Sequence, residues 1–171
     1  MKILKLELKN WQKGYAILEL LFYMSFFLVI SIVVIDSMII MTKTFKETSI
    51  QRDLTQGGVI MERISREMRQ AYDISAISAS DLTLNTTDIF SGADETVQFL
   101  LSGSDIQLLE NAALTGNLNL PNVAVAGLSF TQITTVSGKA IKILLTVRST
   151  NDALNRTADF YDTVVLRGSY N

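Results

Sequence analysis

The sequence predicts an α+β fold: a long N-terminal helix, apolar in its first half and amphipathic in its second, packed on a C-terminal antiparallel β-sheet. Three observations carry this expectation. Apolar residues run with few interruptions from Tyr15 to Met41. A stripe of apolar and small residues at steps of four and three follows as far as Ala71. After Tyr72, β-branched and aromatic residues alternate with Ser, Thr, Asn, Asp and Gly, the pattern of short strands and turns. The chain divides accordingly into residues 1–14, a basic segment; 15–41, an apolar helix; 42–72, its amphipathic continuation; and 73–171, a β-rich domain.

A chain of 171 residues fits one domain with attachments. A net charge of −2 argues against a nucleic-acid partner. There is no cysteine and no histidine, which excludes disulfides, thiolate zinc sites, cysteine nucleophiles and histidine-based triads. The absence of cysteine is compatible with the cytosol and with the outside of the cell.

Within residues 1–14, Lys2, Lys5, Lys9 and Lys13 stand against a single acid, Glu7. From Leu20 to Ile35 there is no charge. The run from Tyr15 to Met41 exceeds the about 20 residues that cross a bilayer. It is longer than the about 7–15 residues of a secretory core, and no small-x-small cleavage site follows. The expectation is a single-pass anchor in the cytoplasmic membrane, with the lysines inside and the C-terminal domain outside. Glu19 is the anomaly, because a carboxylate in hydrocarbon costs a few kcal/mol unless it has a partner, a proton or access to headgroups. Asp36 marks the outer boundary of the span, since Leu20 to Ile35 covers about 24 Å as helix.

The stretch "KGYAILEL", residues 13 to 20, resembles the processing site of type IV prepilins and pseudopilins. The resemblance implies cleavage after Gly14 by a membrane prepilin peptidase, N-methylation of the new N-terminal Tyr15, and an assembly role for Glu19 at the fifth mature position. It further implies a pilin-like fold, partnership with other pilin or pseudopilin subunits and with membrane lipid, and a structural rather than enzymatic role. "MERISREMRQA" is similar to the region after the anchor in minor members of the family. The implied protein is a minor pilin or pseudopilin of a type IV pilus-like or type II secretion-like filament, cell-surface or periplasmic once assembled. Two positions depart from the family pattern: Tyr15 replaces the commoner Phe, and Asp36 stands where major pilins often carry Pro. A signal-anchored extracytoplasmic binding domain that never polymerises is the alternative. It needs the apolar segment but neither Gly14 nor Glu19.

The continuation places Ile50, Leu54, Gly57, Met61, Ile64, Met68 and Ala71 on one stripe, expected to pack on the domain. Glu62 and Arg66 are spaced for an i,i+4 ion pair. A single helix from about Tyr15 to about Tyr72 would measure about 85 Å. Gly57–Gly58 either admits a sheet closely or bends the helix. Arg63, Arg66 and Arg69 alternate with Glu62 and Glu67, which reads as a solvated mixed face rather than a nucleic-acid surface.

The expected strands are Asp81–Asn85, Thr96–Leu101, Ser104–Leu109, Ala124–Ile133, Lys139–Arg148 and Phe160–Leu166, with hairpin turns around Ser102–Asp105 and Ser137–Gly138. Ile141, Ile143 and Leu145 alternate with Lys142, Leu144 and Thr146, so one side of that strand should face the core. Asp88, Asp94 and Glu95 form one oxygen-rich cluster, and Asn151, Asp152, Asn155 and Asp159 another. Turn chemistry accounts for both as simply as calcium does, and no metal or cofactor is assigned. Asn85-Thr86-Thr87 and Asn155-Arg156-Thr157 match the glycosylation triplet, a pattern common by chance. No pair of carboxylates stands out for acid/base work, and no catalytic residue is assigned.

Overall fold

Helix α1 spans Ile3–Gln70 in the computed structural model. The backbone is described for residues 3–88, 92–135 and 138–166, and side chains for residues 15–88, 92–134 and 138–166. The chain forms two compact units, Met1–Glu47 and Thr48–Asn171, which divide within α1.

In the first unit the helix is long and apolar enough to cross a membrane. Its apolar side chains are open to the surroundings, with Phe22 74% and Phe27 68% exposed. The Ser31, Ser37, Thr42 and Thr44 hydroxyls donate to the carbonyls of Phe27, Val33, Met38 and Ile40. These hydroxyls are thereby satisfied within the helix itself.

In the second unit, residues 48–70 of the helix pack on eight strands: β1 Asp73–Ile77, β2 Asp81–Thr87, β3 Asp94–Ser102, β4 Asp105–Glu110, β5 Ala113–Asn117, β6 Val123–Thr135, β7 Gly138–Ser149 and β8 Thr157–Val165. All neighbouring strands pair antiparallel. The architecture is α+β, but the one expected sheet is two: a five-stranded meander β1–β5 and a three-stranded meander β6–β8. The extra strands are β1 and β5. Both are short edge strands without full alternation of burial, so a period of two does not reveal them.

Every expected stripe residue from Ile50 to Ala71 is buried. Ile64 and Met68 join Leu82, Phe99 and Ile106 of the first sheet and Ile141, Ile143 and Leu145 of the second in one core. β7 alternates as expected, with Ile141, Ile143, Leu145 and Val147 fully buried and Lys142 exposed. On α1 Arg63 and Glu67 form an ion pair at 3.1 Å, whereas Glu62 and Arg66, spaced for the expected pair, are both exposed. The helix closes at Gln70, with the Ala71 amide donating to the Glu67 carbonyl.

Turns set the register of the first sheet. Gly103, at φ 65°, makes the β3–β4 turn where Ser102 pairs with Asp105. Asn111 and Ala112, at φ 51° and 65°, make the β4–β5 turn, where Ala112 carries a left-handed conformation that a glycine would adopt more readily. In the β6–β7 hairpin Gly138 pairs with Thr135, and Ser137 of the expected turn lies outside the described residues.

Gly57 settles the role of the glycine pair. A Cβ there would overlap the Phe160 ring of β8, whereas one at Gly58 would sit 3.7 Å from it, an ordinary contact. Gly57 therefore admits the second sheet closely, and Gly58 is not needed for that approach. We expect Gly57→Ala to destabilise the folded unit by about 1–3 kcal/mol through overpacking. Gly58→Ala should be neutral or stabilising by up to about 1 kcal/mol, because alanine restricts the unfolded chain and favours helix. Urea titration of the detergent-solubilised chain, followed by circular dichroism, separates the two.

Candidate functional site

The helix around Glu19 presents the most unusual chemistry of the first unit. Tyr15 is 65% exposed, and its spacing of four residues places it on the same helical face as Glu19. The next turn supplies Tyr23, whose hydroxyl donates to Glu19 Oε1 at 3.2 Å. A shallow groove along this face is lined by Ala16, Glu19, Leu20, Tyr23, Phe27 and Ile30. The carboxylate thus faces apolar side chains with a phenol as its hydrogen-bond donor. Gly14 lies outside the residues whose side chains are described. Sequence reasoning missed Tyr23; the signal available was a hydroxyl donor four residues after the acid.

In the second unit two buried polar groups hold α1 to the strands, and a third joins the two sheets. Asp53 is buried and accepts hydrogen bonds from Asn122 Nδ2 and, at 2.7 Å, from the Ser149 hydroxyl. Ser65 donates to Asp162 Oδ2 of β8 at 2.5 Å. Asn119 ties the two sheets: its Oδ1 accepts from the Ile106 amide at 3.0 Å, and its Nδ2 donates to the Val123 carbonyl at 2.7 Å. None was singled out in the sequence. Asp53 lies between Ile50 and Gly57 within the apolar stripe, which was its only signal.

The oxygen-rich loop near Asp152 is built as a turn. Asp152 is buried and accepts from the Leu154 and Arg156 amides, both at 3.1 Å, and from Arg156 Nε at 2.8 Å. The Arg156 hydrogen bond and the two amides hold the Asp152 carboxyl well below its ordinary 3.8, at about 2, against the opposing effect of burial. Asn155 Oδ1 accepts from Arg148 at 3.0 Å, and Asp159 Oδ1 accepts from Thr146 at 2.7 Å. The cluster's oxygens therefore serve the turn and the adjoining strands. The Asp88, Asp94 and Glu95 cluster flanks residues 89–91, which lie outside the described residues. Among the described residues no three acidic side chains converge as metal ligands would.

Across the β1–β7 approach, Lys139 Nζ lies 2.5 Å from Asp73 Oδ1, and this hydrogen bond keeps the Asp73 carboxyl below its ordinary range. Compared with protein-family models, curated proteins and solved structures, the chain matches none of them.

The Asp152 shift carries a pH dependence. A carboxyl held low in the folded state adds stability above its unfolded value of 3.8, and that contribution is lost as the pH falls through about 2. Asp152→Asn should lower the urea midpoint at neutral pH. The gap to the natural chain should then narrow as the pH falls from 3.8 toward about 2. A constant gap over that range would contradict the assignment.

Proposed function

We propose that the chain is a structural filament subunit, a minor pilin or pseudopilin of a type IV pilus-like or type II secretion-like machine. The observation that carries this reading is Glu19 on an exposed apolar helix of membrane-spanning length, four residues after Tyr15, which itself directly follows the Lys13-Gly14 pair. The helix leads into a packed unit that folds on its own apolar core, so the exposed apolar residues are not needed to complete that core.

In this account the subunit waits in the cytoplasmic membrane with its β-rich domain outside. A prepilin peptidase hydrolyses the Gly14–Tyr15 bond on the cytoplasmic side. The freed α-amino group is methylated, stays basic and carries a positive charge. It stands about 6 Å along the helix axis from Glu19, one turn away. In a low-dielectric setting an amine–carboxylate pair is strong and an unpaired carboxylate is costly. Glu19 therefore favours whichever arrangement brings it an amine, from its own chain or from a neighbouring subunit. The Tyr23 hydroxyl gives the carboxylate a weaker donor until that amine arrives.

The reading is tested by two variants. Gly14→Ala should block processing, seen as a chain that keeps the mass of its leader. Glu19→Ala should leave processing intact and reduce incorporation into filaments at least tenfold. Normal incorporation of Glu19→Ala would remove its assembly role, and normal processing of Gly14→Ala would remove the cleavage site.

A further inference from the structure

We propose that the second unit carries a binding site for an organic cation, an ammonium or guanidinium group on an aliphatic stem, in the chamber between the last turns of α1 and the inner face of the first sheet. Every residue of the site lies within Thr48–Asn171, so the site requires neither the apolar helix nor its processing.

Strand geometry assembles the site. Leu82, Leu84 and Thr86 of β2 alternate onto the inner face, as do Val97 and Phe99 of β3 and Ile106 and Leu108 of β4. Toward one end of the sheet these rows turn from apolar to polar. Thr86 pairs with Glu95, two residues before Val97, and Val97 pairs with Glu110, two residues after Leu108. Glu95 therefore stands directly opposite Thr86 and diagonal to Glu110, about 7–8 Å away across the strands. On α1, Arg63, Glu67 and Gln70 are spaced by four and three, which places them on one helix face, and they close this end of the sheet. The chamber measures about 130 Å³, small beside the about 300–1,000 Å³ of pockets for drug-sized ligands. It suits a single head group.

Its charge is one-sided. Glu67, Asp88, Glu95 and Glu110 line it against one base, Arg63, which is paired with Glu67 at 3.1 Å. The C-terminal end of α1, at Gln70, adds partial negative charge. Glu95 and Glu110 are half-buried, and the bond that Glu95 Oε1 accepts from Asn111 is long, at 3.5 Å. Among the described residues no hydrogen bond or ion pair reaches the Glu110 carboxylate.

Thr86 points to a ligand independently of the charge. It is only 7% exposed and lines the chamber, yet among the described residues its hydroxyl has no hydrogen bond. Buried polar groups are normally paired, so the hydroxyl is satisfied when a polar group enters. Ionised carboxylates only accept hydrogen bonds, and a hydroxyl also accepts, so the occupant that meets all three is a donor. Two carboxylates without a base of their own call for positive charge. A metal ion requires converging oxygens, and among the described residues no three acidic side chains converge. Ammonium offers three donors and guanidinium five, which suits acceptors set apart on two strands. Val97, buried in the chamber wall, gives the aliphatic stem an apolar surface.

The test uses the full-length chain in detergent, with threonine and valine methyl groups labelled and the Thr86 and Val97 signals followed by NMR. The probes are acetylated pentapeptides with a central lysine, arginine or norleucine, then butylammonium, then calcium. The lysine or arginine peptide should shift both signals saturably, and the norleucine peptide should not. Butylammonium that binds as well as the peptides supports the site with a free amine as its source; weaker binding supports it with a partner's side chain as the source. Glu95→Gln combined with Glu110→Gln should weaken binding severalfold without lowering the urea midpoint, because these carboxylates hold nothing in the fold. Thr86→Val, followed at Val97, should do the same. No shift with any organic cation, calcium binding in their place, or undiminished affinity in the glutamine variant would overturn the site. A lowered midpoint in Thr86→Val would overturn it too, because the hydroxyl would then serve the fold.

Discussion

A carboxylate on an exposed apolar helix sets the chemical demand of the first unit. Glu19 lies among side chains that no part of its own unit covers. Water would satisfy the acid but not the phenylalanines and leucines beside it; lipid would satisfy those but not the acid. The hydroxyls further along the helix resolve the same conflict internally, by donating to carbonyls one turn back. Glu19 has only acceptors when ionised, so it requires a donor from a side chain or from outside. Tyr23 supplies one, and a charged amine would supply a stronger one.

The second unit answers a different demand. Its part of α1 packs on both sheets through apolar contacts and is fastened on the side of the second sheet by hydrogen bonds that also fix direction. Gly57 admits Phe160, Ser65 meets Asp162 two residues further along β8, and Asp53 binds side chains at the start of β6 and the end of β7. Apolar packing tolerates sliding, but a buried carboxylate with two donors does not, because any shift leaves a polar group unpaired. These attachments fix residues 48–70 of α1 in one register on the strands.

Much of this was legible in the residues because it depends on period. The stripe from Ile50 to Ala71 and the alternation of β7 follow directly from helix and strand geometry, and the structure buries the residues that they mark. What was hidden depends on long-range pairing. Nothing local in "DISAI" or "ALTGN" marks an edge strand, since an edge is defined by the neighbour it has and the one it lacks. The split into two sheets arises where Asn119 and the β3–β4 turn meet the start of β6, a contact no window reports. Asp152 looked like one oxygen among several; its local amides and Arg156 make it a turn anchor. Tyr23 read as one more apolar residue until the helix set its hydroxyl against Glu19.

The account turns on an amine that exists only if the chain is cut between Gly14 and Tyr15. N-terminal sequencing of the membrane-extracted protein, with mass analysis of the first residue, tests this most directly. The account predicts an N-terminus at Tyr15 that carries one additional methyl group. A chain that begins at Met1 would contradict it and would leave an anchored domain that never polymerises.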